Sequence, residues 1–274
     1  MAQWGAFLFV IALLTVLLLI LARQSQGILH DQATPTDSAV ESAENLPTAG
    51  QTLGKESDQT AERTQTEKPE TGIELTSTAL LLNVAVTQVV VAVLVIAAAW
   101  YFGIPAEAFG VTTDALAAGL PGVVLGVALG VALWVANEFA TTVADAVGAS
   151  YDETVRKMLA PETTGGWAAL FLIVLPIIAF AEELLFRAAL IGVPAAGFDV
   201  SPWLLAVVSS LAFALGHGAQ GRVGIVVTGL LGFVLAGAYI LTTSLLVVFV
   251  AHYVINALEF FIHEFLGIDE LLPI

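Results

Sequence analysis

Cysteine is absent from this chain, and charged residues make up only 12% of its 274 residues. Without cysteine the chain cannot form disulfides, use a thiolate nucleophile or bind a metal through thiolates. The shortage of charge excludes an ordinary soluble globule, in which about 25% of residues are charged. Apolar residues make up 58% of the sequence, so we predict an integral membrane protein.

Basic residues are the scarcer charge type, with 8 Lys and Arg against 24 Asp and Glu. They form no patch that would neutralise phosphates, so nucleic-acid binding is disfavoured. The acids are concentrated in residues 23–72 and in the short segments between apolar runs. Such segments are typical of salt-adapted proteomes, and we expect a halophilic archaeal source. An ordinary acidic tail would explain residues 23–72 but not the acids of the other segments.

Seven apolar runs approach or exceed the length that crosses about 30 Å of hydrocarbon. They predict an all-α fold, a polytopic transmembrane helix bundle of about seven spans. The first run lacks the basic start and the cleavage site of a signal peptide, so we expect an uncleaved anchor. The runs cover residues 4–22, 76–103, 115–140, 166–193, 203–219, 223–240 and 242–262.

Residues 23–72 are rich in Thr, Gln, Glu and Ser. A segment with so few aliphatic residues cannot bury a core, and we predict a disordered acidic linker there.

Seven of the eight basic residues orient the predicted spans. If the chain is threaded back and forth through the bilayer, all seven fall on one side. The positive-inside tendency places that side in the cytoplasm. We therefore predict a multi-pass protein of the cell membrane, with its N-terminus outside and its C-terminus cytoplasmic. The seven are Arg23, Lys55, Arg63, Lys68, Arg156, Lys157 and Arg222.

Polar residues that a bilayer should exclude interrupt three of the runs. A charged residue at the membrane centre costs about 2.5–3.5 kcal/mol on insertion scales. Such groups usually face the bundle interior and mark a pathway or a site. The fourth run contains Glu182, Glu183 and Arg187, the fifth His217, and the seventh His252 and Asn256.

Spacing separates the two glutamates. Glu183 and Arg187 lie four residues apart on one helix face and can form an ion pair. Glu182 points about 100° away and has no partner in its own run. A desolvated carboxylate without a partner suits a general acid or base.

Spacing also pairs the remaining groups. The N–H groups of His252 and Asn256 project from one face of the seventh run and can hold a developing oxyanion. Phe213 and His217 share a face of the fifth run in the same way. Either histidine alone is compatible with a packed structural role. Two histidines, an asparagine and an unpaired glutamate together favour a site.

Two other patterns have structural interpretations. Gly122, Gly126 and Gly130 recur at four-residue spacing, which predicts close helix packing. The polar residues not yet discussed lie near span ends or in the linker, and we assign them no function. They are Asn137, Glu138, Glu259, His263 and His30.

The intramembrane residues resemble the three signature motifs of the CPBP family of intramembrane endopeptidases. This family includes the type II CAAX prenyl proteases and bacteriocin-processing homologues. Its motifs Glu-Glu-x-x-x-Arg, Phe-x-x-x-His and His-x-x-x-Asn correspond to residues 182–187, 213–217 and 252–256, and the resemblance covers about residues 165–262. Members often have Gly where Ala188 stands, and a Thr-Gly-Ser-Leu turn where this chain has residues 242–245.

The resemblance implies hydrolysis of a peptide bond inside the membrane, in CAAX-type protein processing. In the family picture Glu182 and His217 activate a water, while His252 and Asn256 stabilise the oxyanion. Glu183 shapes the site and assists catalysis.

Arg187 and Phe213 are expected to shape the site. The implied partners are the bilayer and a peptide or protein substrate, which in this family can be prenylated at its C-terminus. Members have been described both as metalloproteases and as metal-free glutamate proteases. The zinc ligands would be Glu182, His217 and His252, but they lack the short His-x-x-x-His spacing. We therefore favour no cofactor.

The resemblance divides the chain into five parts. They are an anchor helix (1–22), the linker (23–72), accessory transmembrane helices with a connecting loop (73–164), the catalytic bundle (165–263) and a tail (264–274).

Two other functions stay open. A catalytically silent immunity or partner protein would keep the fold without needing Glu182. A small proton-coupled transporter would also use intramembrane acids and histidines, but it favours inverted repeats, and we find none in the sequence.

Overall fold

The computed structural model describes residues 2–33, 76–149 and 152–268. Within these ranges every regular element is helical, which confirms the predicted all-α class. The helices are α1 (Trp4–Ala33), α2 (Ser77–Tyr101), α3 (Gly119–Ala146), α4 (Thr154–Leu159), α5 (Thr164–Phe198), α6 (Pro202–Gly216), α7 (Gly221–Thr242) and α8 (Leu245–Glu259). A π-helical turn, Phe260–Phe265, extends α8.

The described residues contain six helices long and apolar enough to cross a membrane, and the protein is a multi-pass membrane protein. The fifth predicted run is shorter than a full span, because α6 has 15 residues and ends at Gly216. The first helix is longer than predicted and continues past residue 22 to Ala33. The rest of the predicted linker, 34–72, and the end of the tail, 269–274, lie outside the described residues.

Helix α5 is the central helix of the bundle. It is the most buried of the candidate spans and packs against α2, α6 and α8. Two π-helical stretches, Leu170–Val174 and Leu184–Gly192, interrupt its α-helical geometry. The first ends two residues before Pro176, which has no N–H to donate to the preceding turn. The second begins directly after Glu183, and such wide turns are common at functional sites.

Helices α3 and α8 approach each other through the predicted glycine series. A Cβ at Gly126 would lie 2.7 Å from the carbonyl oxygen of Val247, and one at Gly130 would lie 2.7 Å from that of Ala251. These distances are too short for any side chain, so glycine allows the two backbones to approach. The packing fixes the position of α8, which carries two of the predicted site residues.

Loop contacts define the two ends of the bundle. At one end the N–H of Asp152 donates to the carbonyl of Gln220, which joins the α3–α5 connection to the α6–α7 turn. We call this the basic end, because Arg156 and Arg222 lie there. At the opposite end, the N–H of Leu245 donates to the carbonyl of Gly110.

The turn between α7 and α8 has a threonine, Thr243, at a position whose backbone conformation favours glycine. Thr243 has φ +48°, in the left-handed region where a β-branched residue is strained. The adjacent Ser244 begins α8: its hydroxyl donates to the carbonyl of Ala117 at 2.6 Å and accepts from the N–H of Val247 at 3.3 Å. The turn is therefore held from both sides despite the absence of glycine.

Candidate active site

Four of the predicted residues form one hydrogen-bonded and ion-paired group in the interior, which we call the central cluster. It consists of Glu182, Glu183 and Arg187 from α5 and His252 from α8. The packing of α8 against α5 brings the histidine between the two glutamates. His252 therefore meets Glu183 in the site although the two residues are 69 positions apart in the sequence.

The predicted ion pair is present and fully buried. Arg187 Nη1 lies 3.0 Å from Glu183 Oε1, and the two side chains are 1% and 0% exposed. Arg187 Nη2 also donates to the carbonyl of Gly232 at 3.1 Å, and its Cζ lies 4.6 Å from the ring centroid of Phe213. The guanidinium is held by three elements, so it fixes α5 against α6 and α7.

His252 contacts both glutamates, but unequally. Its Nδ1 lies 2.7 Å from Glu183 Oε1, whereas its Nε2 lies 3.6 Å from Glu182 Oε2. Glu183 Oε1 is thus shared between His252 and Arg187. Glu183 is therefore engaged by two partners at 3.0 Å or less, whereas the ion-pair contact of Glu182 with His252 is longer.

Glu182 has one further partner that the sequence analysis did not identify. Gln88 Nε2 in α2 donates to Glu182 Oε1 at 3.1 Å. Gln88 and Asn83 are the two amides of this run, and such a residue is the signal that would have marked Gln88, since polar residues within spans usually face the interior. The prediction that Glu182 has no partner in its own helix is compatible with this contact, which comes from α2.

Glu182 faces a cavity of about 490 Å³. Helices α1, α2, α5 and α6 all contribute to its walls, so the predicted anchor helix completes the cavity. The polar residues of the wall are Thr15, Asn83, Thr87, Gln88, Glu182 and His217.

His217 is positioned by the end of α6. It follows the last helical residue, and its Nδ1 lies 2.9 Å from the carbonyl oxygen of Phe213. A carbonyl only accepts, so Nδ1 carries the proton and donates. In the neutral ring Nε2 is then a free base.

A second cavity, of about 190 Å³, brings the remaining predicted residues together. His217, His252 and Asn256 all line it, with Phe213 between the two histidines: its ring centroid lies 4.4 Å from that of His217 and 6.0 Å from that of His252. His217 lines both cavities. Each of the seven predicted site residues therefore lies in the central cluster or on a wall of these two cavities.

A second polar group, the end cluster, lies at the basic end. It consists of Asn137, Glu138, Arg156, Glu259, His263 and Glu264. Arg156 Nε donates to Glu264 Oε1 at 2.8 Å and its Nη1 to Glu259 Oε2 at 3.0 Å. Glu259 Oε1 accepts from Asn137 at 2.6 Å, and His263 Nε2 lies 2.9 Å from Glu138 Oε1.

The end cluster explains polar residues to which the sequence analysis assigned no function. They come from three distant segments, which spacing along one sequence cannot connect. Burial disfavours the charged form of Arg156, but its hydrogen bond to Glu264 and the charges of Glu259 and Glu153 outweigh this and raise its pKa. The cluster joins α3, α4 and α8 at the end of the bundle.

Two residue sets deserve comparison as metal sites. Among the residues that the structure describes, the donor atoms of Glu138, Glu259 and His263 form the only set of three within 4.8 Å of one another. Arg156 lies 3.0 Å from one of these carboxylates and opposes a cation there. The predicted zinc ligands Glu182, His217 and His252 do not converge in this way, so their geometry does not fit a bound ion.

The comparisons with known proteins match about a third of the chain, the part that carries the motifs. Residues 164–258 match the family model described as type II CAAX prenyl endopeptidase Rce1-like. The match spans α5 to α8 and includes every predicted site residue, whereas α1 to α4 lie outside it. No curated protein and no solved structure matches the chain.

Proposed function

We propose a specific intramembrane hydrolysis, on the premise that residues 164–258 match the Rce1-like CAAX endopeptidase family, as the three motifs predict. The family implies a peptidase that acts on protein or peptide substrates in the membrane. In our proposal Glu182 and His217 activate a water, and His252 and Asn256 bind the oxyanion.

The position of Glu182 supports its role as general base. Its carboxylate is 13% exposed and lies on the wall of the larger cavity, which His217 also lines. Water bound between them would lose a proton to Glu182 while its oxygen attacks the scissile carbonyl carbon. The same proton then passes to the amide nitrogen as the C–N bond breaks.

The orientation of His217 supports its part in the same step. Its Nδ1–H donates to the carbonyl of Phe213, which leaves Nε2 to accept a hydrogen bond from the attacking water. The ring is fixed by the helix end, so it orients the water without reorganisation.

The oxyanion would be held from α8. Asn256 supplies carboxamide N–H groups to the smaller cavity. His252 lines the same cavity and would donate from Nε2, and Glu183 at 2.7 Å from Nδ1 fixes the orientation of the ring. Glu183 thus assists catalysis through His252, and Arg187 holds Glu183 in place.

We propose that this reaction needs no metal. The three predicted ligands do not converge, and each has another role in the scheme above.

Substrate class and orientation are also part of the proposal. The larger cavity is walled mainly by apolar side chains, most of them from α1 and α5, which suits a C-terminal segment carrying a prenyl group. The smaller cavity is lined by Arg156 and Gln220 at the basic end. With the basic end cytoplasmic and the N-terminus outside, the site would open towards the cytoplasm.

The observation that carries the proposal is Glu182 on a cavity wall shared with His217. The test compares wild type, Glu182→Gln and the matched control Glu264→Gln in high salt. Prenylated and unprenylated C-terminal peptides are supplied with and without a chelator, and products are identified by mass spectrometry. We expect Glu182→Gln to lower kcat by about 10²–10⁴-fold, Glu264→Gln to retain activity, and the chelator to have no effect.

Three results would contradict the proposal. Cleavage by Glu182→Gln at the wild-type rate would exclude Glu182 as the base. Loss of activity with chelator would exclude the metal-free mechanism. No cleavage of any peptide by folded wild type would favour a catalytically silent partner protein.

A further inference from the structure

Helix α2 contributes a polar contact to the site from outside the matched segment. Gln88 Nε2 donates to Glu182 Oε1 at 3.1 Å, across 94 residues of sequence. Gln88 is half-buried on the wall of the larger cavity. Its neighbour Thr87 does not compete for this contact, because the Thr87 hydroxyl donates to the carbonyl of Asn83 at 2.8 Å.

The chemistry of an amide donor matters here. An ionised carboxylate only accepts hydrogen bonds, so an amide N–H fixes the orientation of Glu182 by holding one oxygen. The other oxygen, Oε2, then faces His252 at 3.6 Å. A lysine or arginine in the same place would neutralise the carboxylate and weaken it as a base. A neutral amide positions the base without that cost.

We propose that Gln88 is a positioning residue for Glu182, which makes α2 part of the reaction machinery. This inference rests on the proposed function for its kinetic consequences only, since the contact itself is measurable without activity. Gln88 acts through Glu182 and takes no part in bond making.

Besides Gln88, titratable and charged groups from α5, α6 and α8 lie near Glu182. His252 approaches from α8, Glu183 adjoins it on α5 and is paired with Arg187, and His217 from α6 lines the same cavity. Helix α1 contributes Thr15 and apolar side chains to that cavity. Gln88 is thus the α2 residue that donates to Glu182, and it carries no charge.

The kinetic test uses a double-mutant cycle. Gln88→Leu keeps similar bulk and removes the donor, and we expect kcat to fall about 10–100-fold with KM within about two-fold, as for a misplaced catalytic group. In a Glu182→Gln background the same substitution should cause no further loss, since the residues act as a unit. Gln3→Leu, the same change at an exposed position at the opposite end of the bundle, should leave kcat unchanged.

A second variant tests the sign of the interaction. Gln88→Glu preserves the shape but sets a carboxylate beside Glu182, and two close carboxylates share one proton. We expect the acidic limb of the pH–rate profile to move to higher pH in Gln88→Glu and to stay in place in Gln3→Leu. A profile unchanged in Gln88→Glu would overturn the proposal.

An infrared measurement decides the question even if no substrate is cleaved. The difference spectrum between wild type and Glu182→Gln isolates the carboxylate stretch of Glu182. We expect that band to shift when the same difference is recorded in the Gln88→Leu background, and not in the Gln3→Leu background. An unmoved band would overturn the role of Gln88 whatever the activity. A shifted band in a protein that cleaves no peptide would support the contact and contradict the proposed function alone.

Discussion

The central cluster and the end cluster are built from the same residue types and differ in how their charges are engaged. In the end cluster Arg156 contacts Glu153, Glu259 and Glu264, and His263 lies between Glu138 and Glu259. In the central cluster the one arginine is committed to Glu183.

Glu182 is the group that makes the difference, because no ion pair among the described residues joins it to an arginine or lysine, whereas Arg156 contacts both Glu259 and Glu264. We expect a reactive site in this protein only where a carboxylate beside a cavity has no such cation. Where cations bind every acid, the same residues stabilise the fold.

Among the substitutions that test this comparison, Arg187→Met is expected to have the largest effect, a loss of folding stability. The substitution leaves the fully buried carboxylate of Glu183 without its cation, and breaking a buried pair costs about 3–5 kcal/mol. We expect the free energy of unfolding in mixed micelles to fall by about that amount. The matched control is Arg222→Met, which removes an exposed arginine and should change stability by less than about 0.5 kcal/mol. Equal losses in both variants would show that the buried pair has no special importance.

A smaller effect, confined to catalysis, is expected from Asn256→Ala. Loss of one oxyanion donor lowers kcat by about 10²–10³-fold, and the unfolding transition should stay close to that of wild type. Asn256→Asp keeps the shape and replaces the donors with a negative charge, so its kcat should be lower still. A rise in KM at constant kcat in both variants would assign Asn256 to substrate binding instead.

The smallest effect is expected from Arg156→Met in the end cluster. The paired side chains are 12–36% exposed, so the loss of stability should fall between that of surface and buried pairs, about 1–3 kcal/mol. It should shrink as salt is raised, because partly exposed charges are screened. Lys157→Met is the control, since that side chain is 60% exposed and pairs with Glu153 alone. If the loss of stability in Arg156→Met did not depend on salt, the ion pairs of the end cluster would behave as buried pairs, like the pair of Glu183 and Arg187 in the central cluster.

The sequence predicts the parts of this architecture that depend on short spacings. Apolar runs locate the helices, because a span needs continuous apolar residues whatever they pack against. The pairing of Glu183 with Arg187 follows from four-residue spacing and is confirmed at 3.0 Å. The glycines of α3 predict a close contact, and α8 is the helix they meet.

Features that depend on distant contacts or on small changes of helical pitch are not predictable in this way. Gln88 and Glu182 are 94 residues apart, and nothing local connects them. The first π-helical stretch of α5 is wholly apolar and the second contains one polar residue, Arg187, so neither has a polar stripe that reports the helical pitch. The short length of α6 follows from His217, which ends the helix by binding its own preceding turn.

The contact between α3 and α8 limits what can be moved between proteins. Gly126 and Gly130 lie outside the matched segment 164–258, yet they seat the helix that carries His252 and Asn256. A chimera that transplants only residues 164–258 onto foreign helices would carry all the predicted site residues and lose the surface that positions two of them. The unit that can be exchanged between proteins is thus larger than the matched segment, and we expect an exchange to succeed only when α3 is transferred with it.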